Sequence, residues 1–344
     1  MSNVSFLMSN YKTPPMYLRR ALDSMLAQTF TDFEAVVVND GVKDESYDLL
    51  REYAARDSRI RLIENERNLG LAASLNRGMD ACTGQYIARM DTDDICLPER
   101  LALQTAYMDD HPDVMFAGAW ADIFSENEED VLETCKPHMC PQEEYRIRQL
   151  FANDPLLIHP TVIFRRSFLQ QYRLRYSEDP RYRYAEDYEM WTRCADHGRA
   201  GILEQVVLRY RNTPSENRIS VRHGEEMAIC NQNVQIKRFL QLGIPVADYP
   251  PELNAWLLTG RKPYDIRYKK WMNTILARNE IICLFDQALM RKLFHRRWSN
   301  IVYYGIAYEK NTGRRIRMFL SLYPGEYIRF VKELRKKPNE INAF

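Results

Sequence analysis

Gly84-Gln85-Tyr86-Ile87-Ala88-Arg89-Met90-Asp91-Thr92-Asp93-Asp94 decides how this chain is read. The stretch Gln85–Met90 has the apolar character of a buried strand, and it runs straight into three carboxylates. Three carboxylates within four residues repel one another unless a positive charge sits among them. A hard divalent cation with oxygen ligands, Mn²⁺ or Mg²⁺, meets that need and takes phosphate oxygens as further ligands. The structural alternative is an acidic surface turn. The apolar strand before the cluster and Pro98 behind it favour a site.

Outward from this stretch, short apolar runs alternate with helical patterns. Strands are expected at Val4–Met8, Glu34–Val38, Ile60–Ile63, Gln85–Met90 and Val114–Trp120. Helices are expected at Pro15–Gln28, Ser46–Arg56, Leu71–Ala81 and from Pro98, a residue suited to a first helical turn. Strict alternation implies parallel strands with right-handed crossovers, hence an α/β, Rossmann-like, mostly parallel sheet flanked by helices. Ligands collect beyond the carboxyl ends of such strands. Asn10-Tyr11, Asp40 and the Asp cluster all follow strand ends and should converge on one crevice. Residues 120–212 are more mixed: a hairpin over Ala121–Lys136, a helix over Gln142–Phe151, a strand at Thr161–Phe164, a helix over Asp187–His197, and one or two strands in Gly201–Tyr210. From about residue 224 only helical patterns remain, including Ile266–Leu284 and Asp286–Tyr304. The expected division is an α/β ligand-binding domain over 1–223 and a basic helical extension over 224–344.

A net charge of +1 hides an asymmetry. Residues 226–344 carry 21 Lys/Arg against 10 Asp/Glu, and residues 1–225 carry 27 against 37. The acidic part suits a cation and the basic part an anionic partner. No window approaches the ~18 apolar residues of a membrane span. Seven scattered cysteines suit reduced thiols in a cytoplasmic protein better than a disulfide framework. Cys135, His138 and Cys140 fit no common zinc spacing.

Several further residues carry a structural and a chemical reading each. Asp40 either accepts a hydrogen bond from a nucleobase or caps the following helix. Asn68-Leu69-Gly70 is either a loop with Asn68 capping or a place where the backbone approaches a ligand closely. Glu186-Asp187 either complements a helix dipole or supplies a general base, since an attacking sugar hydroxyl must lose a proton. His159, before the strand at Thr161–Phe164, is a structural histidine or an acceptor contact.

Taken in order, these segments resemble the family 2 glycosyltransferases, inverting enzymes of the GT-A fold, over roughly residues 3–220. The blocks are Val4–Tyr11, Gln28–Glu34, Val36–Gly41, Asn68–Leu71, Gly84–Ala88, Met90–Asp94, Pro98–Leu101, His159–Val162 and Ala185–Tyr188. The resemblance implies a hexosyltransferase-type enzyme that moves sugar from a nucleotide-diphosphate donor, UDP-linked by preference, to a glycan or lipid-linked acceptor in polysaccharide biosynthesis. It implies that Asn10, Tyr11 and Asp40 bind base and ribose, with Asn68 near the base. Asp91 would lie by ribose and metal, Asp93 would be the principal metal ligand, and Asp187, beside Glu186, the catalytic base. His159, Trp191 and Arg193 are candidates for sugar or acceptor contact. Two departures stand out: Ser9 where members usually have Pro, and Asn39 where they often have Asp. The Gln-x-x-Arg-Trp motif of polymer-extruding members is missing. A sugar nucleotidyltransferase would need a Gly-rich loop after the first strand, and Asn10-Tyr11-Lys12-Thr13 has no glycine. A catalytically silent sugar-nucleotide-binding scaffold protein is the reading from another class.

Aromatics interleave with Lys and Arg over 286–337, as in Met290–Trp298, Arg314–Phe319 and Tyr327–Lys337. This suits an interfacial contact with an anionic membrane, at the cytoplasmic face of the inner membrane. The alternatives are a helical domain with aromatic core and solvated charges, or a surface for a homo-oligomer. No nucleic-acid module accompanies the pattern, so no nucleic-acid partner is expected.

Overall fold

The computed structural model describes residues 3–125, 130–150, 157–212, 223–250, 264–309, 312–323 and 326. They form two compact units, one of Met1–Gln142 with Asp154–Asn231, the other of Glu143–Asn153 with Gln232–Phe344.

The first unit is built on one mixed sheet. Its strands are β1 (Val4–Asn10), β2 (Phe33–Asn39), β3 (Ile60–Glu64), β4 (Tyr86–Met90), β5 (Ile95–Cys96), β6 (Val114–Phe124), β7 (Val131–Cys135), β8 (Ile163–Arg165) and β9 (Arg199–Arg211). They lie in the order β3-β2-β1-β4-β8-β6-β9-β5, with β7 on β6. Every residue of β2 is buried, as expected of an interior strand covered on both faces. Helices α1 (Pro15–Leu26), α2 (Glu45–Arg56) and α3 (Leu71–Ala81) link the parallel quartet β3-β2-β1-β4. The expected parallel alternation fails beyond β4. There β8 takes the edge of β4 antiparallel, pairing Tyr86 with Arg165, and β6 pairs with β8 instead. A strand of three residues that displaces its neighbour leaves no mark in local periodicity. Helix α4 (Arg100–Asp110) starts two residues after Pro98, and β7 returns along β6 as the expected hairpin, Ala121 opposite Cys135. The expected strand over Thr161–Phe164 opens instead as a 3-10 turn at His159–Thr161, and the Gly201–Tyr210 run is one long strand. Neither β5 nor the short helix α6 (Arg166–Gln171) was anticipated; each follows another element too closely to show a period of its own.

The second unit has its own apolar core. It is drawn from α8 (Gly224–Gln241), α9 (Ile266–Ile282), α10 (Gln287–Tyr308) and α11 (Thr312–Leu320), with Ile147 and Leu150 contributed by and just after α5 (Gln142–Arg148). Asp286 caps α10, accepting from the Leu289 N–H at 2.6 Å. Phe294 and Trp298 of α10 are buried in this core, with Trp298 Nε1 donating to the Ser321 carbonyl at 2.8 Å. The expected membrane contact therefore finds Phe294, Trp298 and Tyr303 of α10 turned into the core. Residues 327–337 of that expectation lie outside the described residues. Among those described, no helix is long and apolar enough to cross a membrane.

One buried carboxylate ties the amino ends of the parallel strands together. Glu34 Oε1 accepts from Ser5 Oγ at 2.7 Å, Thr83 N at 2.6 Å and Thr83 Oγ1 at 2.8 Å, while Oε2 accepts from Arg61 Nη1 at 2.7 Å. Burial alone would raise this acid; the hydrogen bonds from Ser5, Arg61 and Thr83 outweigh it and hold it at about 2. Its stabilising contribution is therefore present above the ordinary glutamate value and fades as pH falls from there towards about 2. Glu34→Gln should cost about 2 kcal/mol at neutral pH and flatten this part of the acid dependence, as read by denaturant unfolding of wild type and variant across the acid range.

Candidate active site

The carboxyl ends of β1, β2 and β4 open on the same side because the three strands are parallel and in register. At the end of β2, Asp40 is buried and fully used. Its Oδ1 accepts from Asn65 Nδ2 at 2.8 Å and Leu69 N at 2.7 Å, and its Oδ2 accepts from Gly70 N at 3.0 Å. It therefore fixes the loop 65–70 and does not cap α2, a task taken by Asp44 through Ser46 N and Tyr47 N. Next to it Gly41 has φ +73°, and a Cβ there would lie 2.0 Å from the Arg67 carbonyl carbon. Only glycine allows strand end and loop to meet. Asn68 is exposed on that loop, and α3 is capped by Gly70, whose φ of +88° and not lack of space demands glycine.

Asn10 departs from its expected role. Its side chain is wholly buried, donating to Asn39 Oδ1 at 3.1 Å and Ser46 Oγ at 2.9 Å, so it locks β1 to β2 and offers no surface to a nucleotide. Tyr11, in contrast, is 47% exposed.

At the end of β4, ligand oxygens of Asp91, Asp93 and Asp94 lie within 4.8 Å of one another. Among the described residues this is the sole grouping of three metal-capable side chains. His138 pairs instead with Glu204 at 3.1 Å. Burial, then Asp91, pushes the Asp93 acid up to about 6, and burial together with Asp93 and Asp91 raises Asp94 well above the ordinary range. Asp94 Oδ2 is buried with no hydrogen-bond partner. A divalent cation would satisfy that oxygen and relieve the repulsion, so the donor set fits Mn²⁺ or Mg²⁺.

Two arginines that the motifs do not include shape this cluster. Arg89 of β4 is buried and ion-pairs with Asp91. Arg211, at the end of β9, donates from Nε to the Asp93 carbonyl at 2.8 Å, and its backbone N–H donates to Asp94 Oδ1 at 2.8 Å. Its guanidinium lies over Tyr17 and Phe124. A charged residue inside an apolar strand was the signal for Arg89, because a buried charge requires a partner. Nothing local marks Arg211.

The first turn of α7 (Glu186–His197) brings Glu186 and Asp187 to the same charges. Burial and then Asp187 push Glu186 up to about 8. Burial also raises Asp187 to about 6, against the Tyr188 N–H, which donates to it at 2.6 Å. Arg89 and Asp91 act on both. His159 Nε2 lies 2.9 Å from the Tyr176 hydroxyl, and burial, then Arg89, holds the imidazole well below its ordinary value and so neutral. Two acceptor candidates are corrected. Trp191 is completely buried among Phe116, Phe164 and His159, because an indole on the inner face of α7 is core. The Arg193 guanidinium is committed to Glu189, at 2.8 and 2.6 Å, and to the Arg175 carbonyl.

Comparison with known proteins decides what this site belongs to. Residues 5–173 match the model of glycosyl transferase family 2. An uncharacterized glycosyltransferase of Methanocaldococcus jannaschii is 34% identical over 219 residues, 63% of this chain and 73% of the relative. The chain belongs to glycosyl transferase family 2. The amylovoran biosynthesis glycosyltransferase AmsE of Erwinia amylovora is also 34% identical, over 60% of this chain and 75% of its own. Among solved structures, Staphylococcus aureus TarS 1–349 superposes with a TM-score of 0.52 at 16% identity, covering 88% of this chain and 89% of TarS 1–349. The Pyrobaculum calidifontis mannosyltransferase PcManGT, in complex with GDP-Man and Mn²⁺, gives 0.51 at 16% identity, over 90% and 88%. These likenesses establish the GT-A fold.

In this glycosyltransferase the raised acids imply a linkage between protons and metal. Stability that the native state draws from protonated Asp93 and Asp94 is present at low pH and lost as pH rises through about 6 for Asp93. A cation competes for the same oxygens, so Mn²⁺ should raise the melting temperature more at about pH 8 than at about pH 5. Asp93→Asn should abolish the difference, read by thermal unfolding with and without Mn²⁺.

Proposed function

We propose that this glycosyltransferase is a metal-dependent, inverting enzyme that transfers sugar from a nucleoside-diphosphate donor, UDP-linked by preference, to a glycan or lipid-linked acceptor of polysaccharide biosynthesis. The observation that carries the reading is the meeting of two acidic groups across Arg89: the Asp91-Asp93-Asp94 cluster at the end of β4, and Glu186-Asp187 at the start of α7. Support for the pathway comes from the name of the Erwinia relative.

The donor's base side is served by exposed Tyr11 and Asn68, with the loop that carries Asn68 held by Asp40. Asp93, with Asp91 and Asp94, would hold Mn²⁺ or Mg²⁺, which supplies positive charge against the departing diphosphate. Arg89 orients Asp91 through their ion pair. Burial pushes both carboxyls at the start of α7 above the ordinary carboxylate range, and Asp187 further raises Glu186. Asp187, the second acid of the pair, is the base that takes the acceptor hydroxyl's proton as oxygen attacks the anomeric carbon from the face opposite the leaving diphosphate, as the likeness to the family implies. The neutral His159, on Tyr176, borders the same charges and completes the acceptor side.

Asp187→Asn should lower transfer by roughly 10²–10⁴-fold with donor binding retained, whereas Asp93→Ala should remove both transfer and metal-dependent donor binding. A wild-type transfer rate in Asp187→Asn would sink the base assignment. Because the base must be deprotonated, the wild-type rate should fall as pH drops below about 6, and radiolabelled-sugar transfer across pH measures it. Arg89→Met should raise the metal concentration needed for half-maximal rate by about tenfold or more, with the fold kept by circular dichroism.

A further inference from the structure

Helix α11 leaves apolar side chains in solvent beside cations. Its inner face is fixed. Met318 is buried in the helical core, Phe319 packs against it, and Leu322 and Tyr323 follow into the same cluster. The end of the helix is clamped twice. Trp298 Nε1 donates to the Ser321 carbonyl, Lys269 Nζ donates to the same oxygen at 2.6 Å, and the Tyr323 hydroxyl donates to Asn273 Oδ1 at 2.6 Å. With that face docked, Ile316 and Leu320 point away from the core, 54% and 66% exposed. They stand one turn apart and so form one stripe. At 100° per residue Arg317 falls on one flank of the stripe, while Arg315 lies beyond Phe319 on the other side, both exposed. Residues 312–323 contain three arginines and no acidic side chain. The first turn of α9, pinned to the end of α11 by Lys269, adds exposed Ile266 and Lys270.

We propose that this face of α11, with the first turn of α9, docks the enzyme on an anionic lipid bilayer, Ile316 and Leu320 entering the headgroup boundary and Arg315 and Arg317 meeting lipid phosphates. Two features select this partner. An apolar stripe flanked by cations is the pattern of an interfacial helix, and neither element suffices alone. The same face of a second copy would set cation against cation, since residues 226–344 carry eleven more Lys/Arg than Asp/Glu. The buried Phe294, Trp298 and Tyr303 of α10 take no part. The inference stands apart from the assignment of donor, metal and base.

The test is flotation of the full chain with phosphatidylglycerol–phosphatidylcholine vesicles and with phosphatidylcholine vesicles alone. Wild type should float with the anionic vesicles only, and added salt should weaken it. The pair Ile316→Glu with Leu320→Glu, and separately Arg315→Gln with Arg317→Gln, should each lower partitioning by about tenfold or more, with unchanged melting temperature and unchanged donor hydrolysis in solution. If the glutamate pair melts early, Ile316→Ser with Leu320→Ser gives the same readout. Wild type that stays unbound, or an Ile316→Glu, Leu320→Glu variant that floats like wild type, overturns the proposal. So does a sedimentation dimer, or a shift of random-sequence RNA, that the same apolar substitutions abolish while vesicle binding persists.

Discussion

A single buried guanidinium governs the acidic crevice. Arg89 is the one cation within the apolar strand β4, and its charge reaches Asp91, Asp93, Asp94, Glu186, Asp187 and His159. Five carboxylates gathered in low dielectric repel one another, and Arg89 opposes the proton uptake that burial and this repulsion promote. Arg89 is also placed by the strand itself, so its position is as rigid as the sheet. Arg100 reinforces it from α4, donating to the Arg89 carbonyl at 2.6 Å. The polar chemistry of the site thus hangs on an element whose other side chains are core.

Around that centre, three long-range ties bring together segments that local folding would leave apart. Asp40 binds the loop before α3. Arg211 brings the end of β9 to the Asp loop through both its backbone and its side chain, with the two-residue β5 paired to β9 just before it. The start of α7 supplies the second acidic pair. Several residues that resemble ligand contacts prove to be the supports of the contacts. Asn10 and Trp191 are buried, and Arg193 is a strut between α7 and the segment before it. A functional motif therefore marks a neighbourhood, within which burial separates residues that touch a ligand from residues that hold the others still.

The helical unit follows a different logic. Its aromatics, which in sequence look like a membrane-seeking series, are divided by packing. Phe294, Trp298 and Tyr303 of α10 make the core, while Arg291 and Lys292 stay exposed. On α11 the docking of one face leaves Ile316 and Leu320 outside.

The alternation of apolar runs and helical patterns determined the parallel quartet β3-β2-β1-β4, because each strand and each crossover carries its period locally. The same reading gave the gathering of Asn10-Tyr11, Asp40 and the Asp cluster at one edge, since parallel strands present their carboxyl ends together. The helical character after residue 224, with Asp286 just before α10, was legible for the same reason. Tertiary structure decided the rest. That β8 displaces β6 from β4 depends on a competition for one sheet edge, which no window of sequence contains. The pairing of Arg211 with Asp93 and Asp94 spans 118 and 117 residues, beyond any local signal. The raised proton affinities of Glu186 and Asp187 come from burial and from neighbouring charges, which exist only once the chain is folded. The Asp cluster was visible as a motif; its electrostatic state was set by the fold.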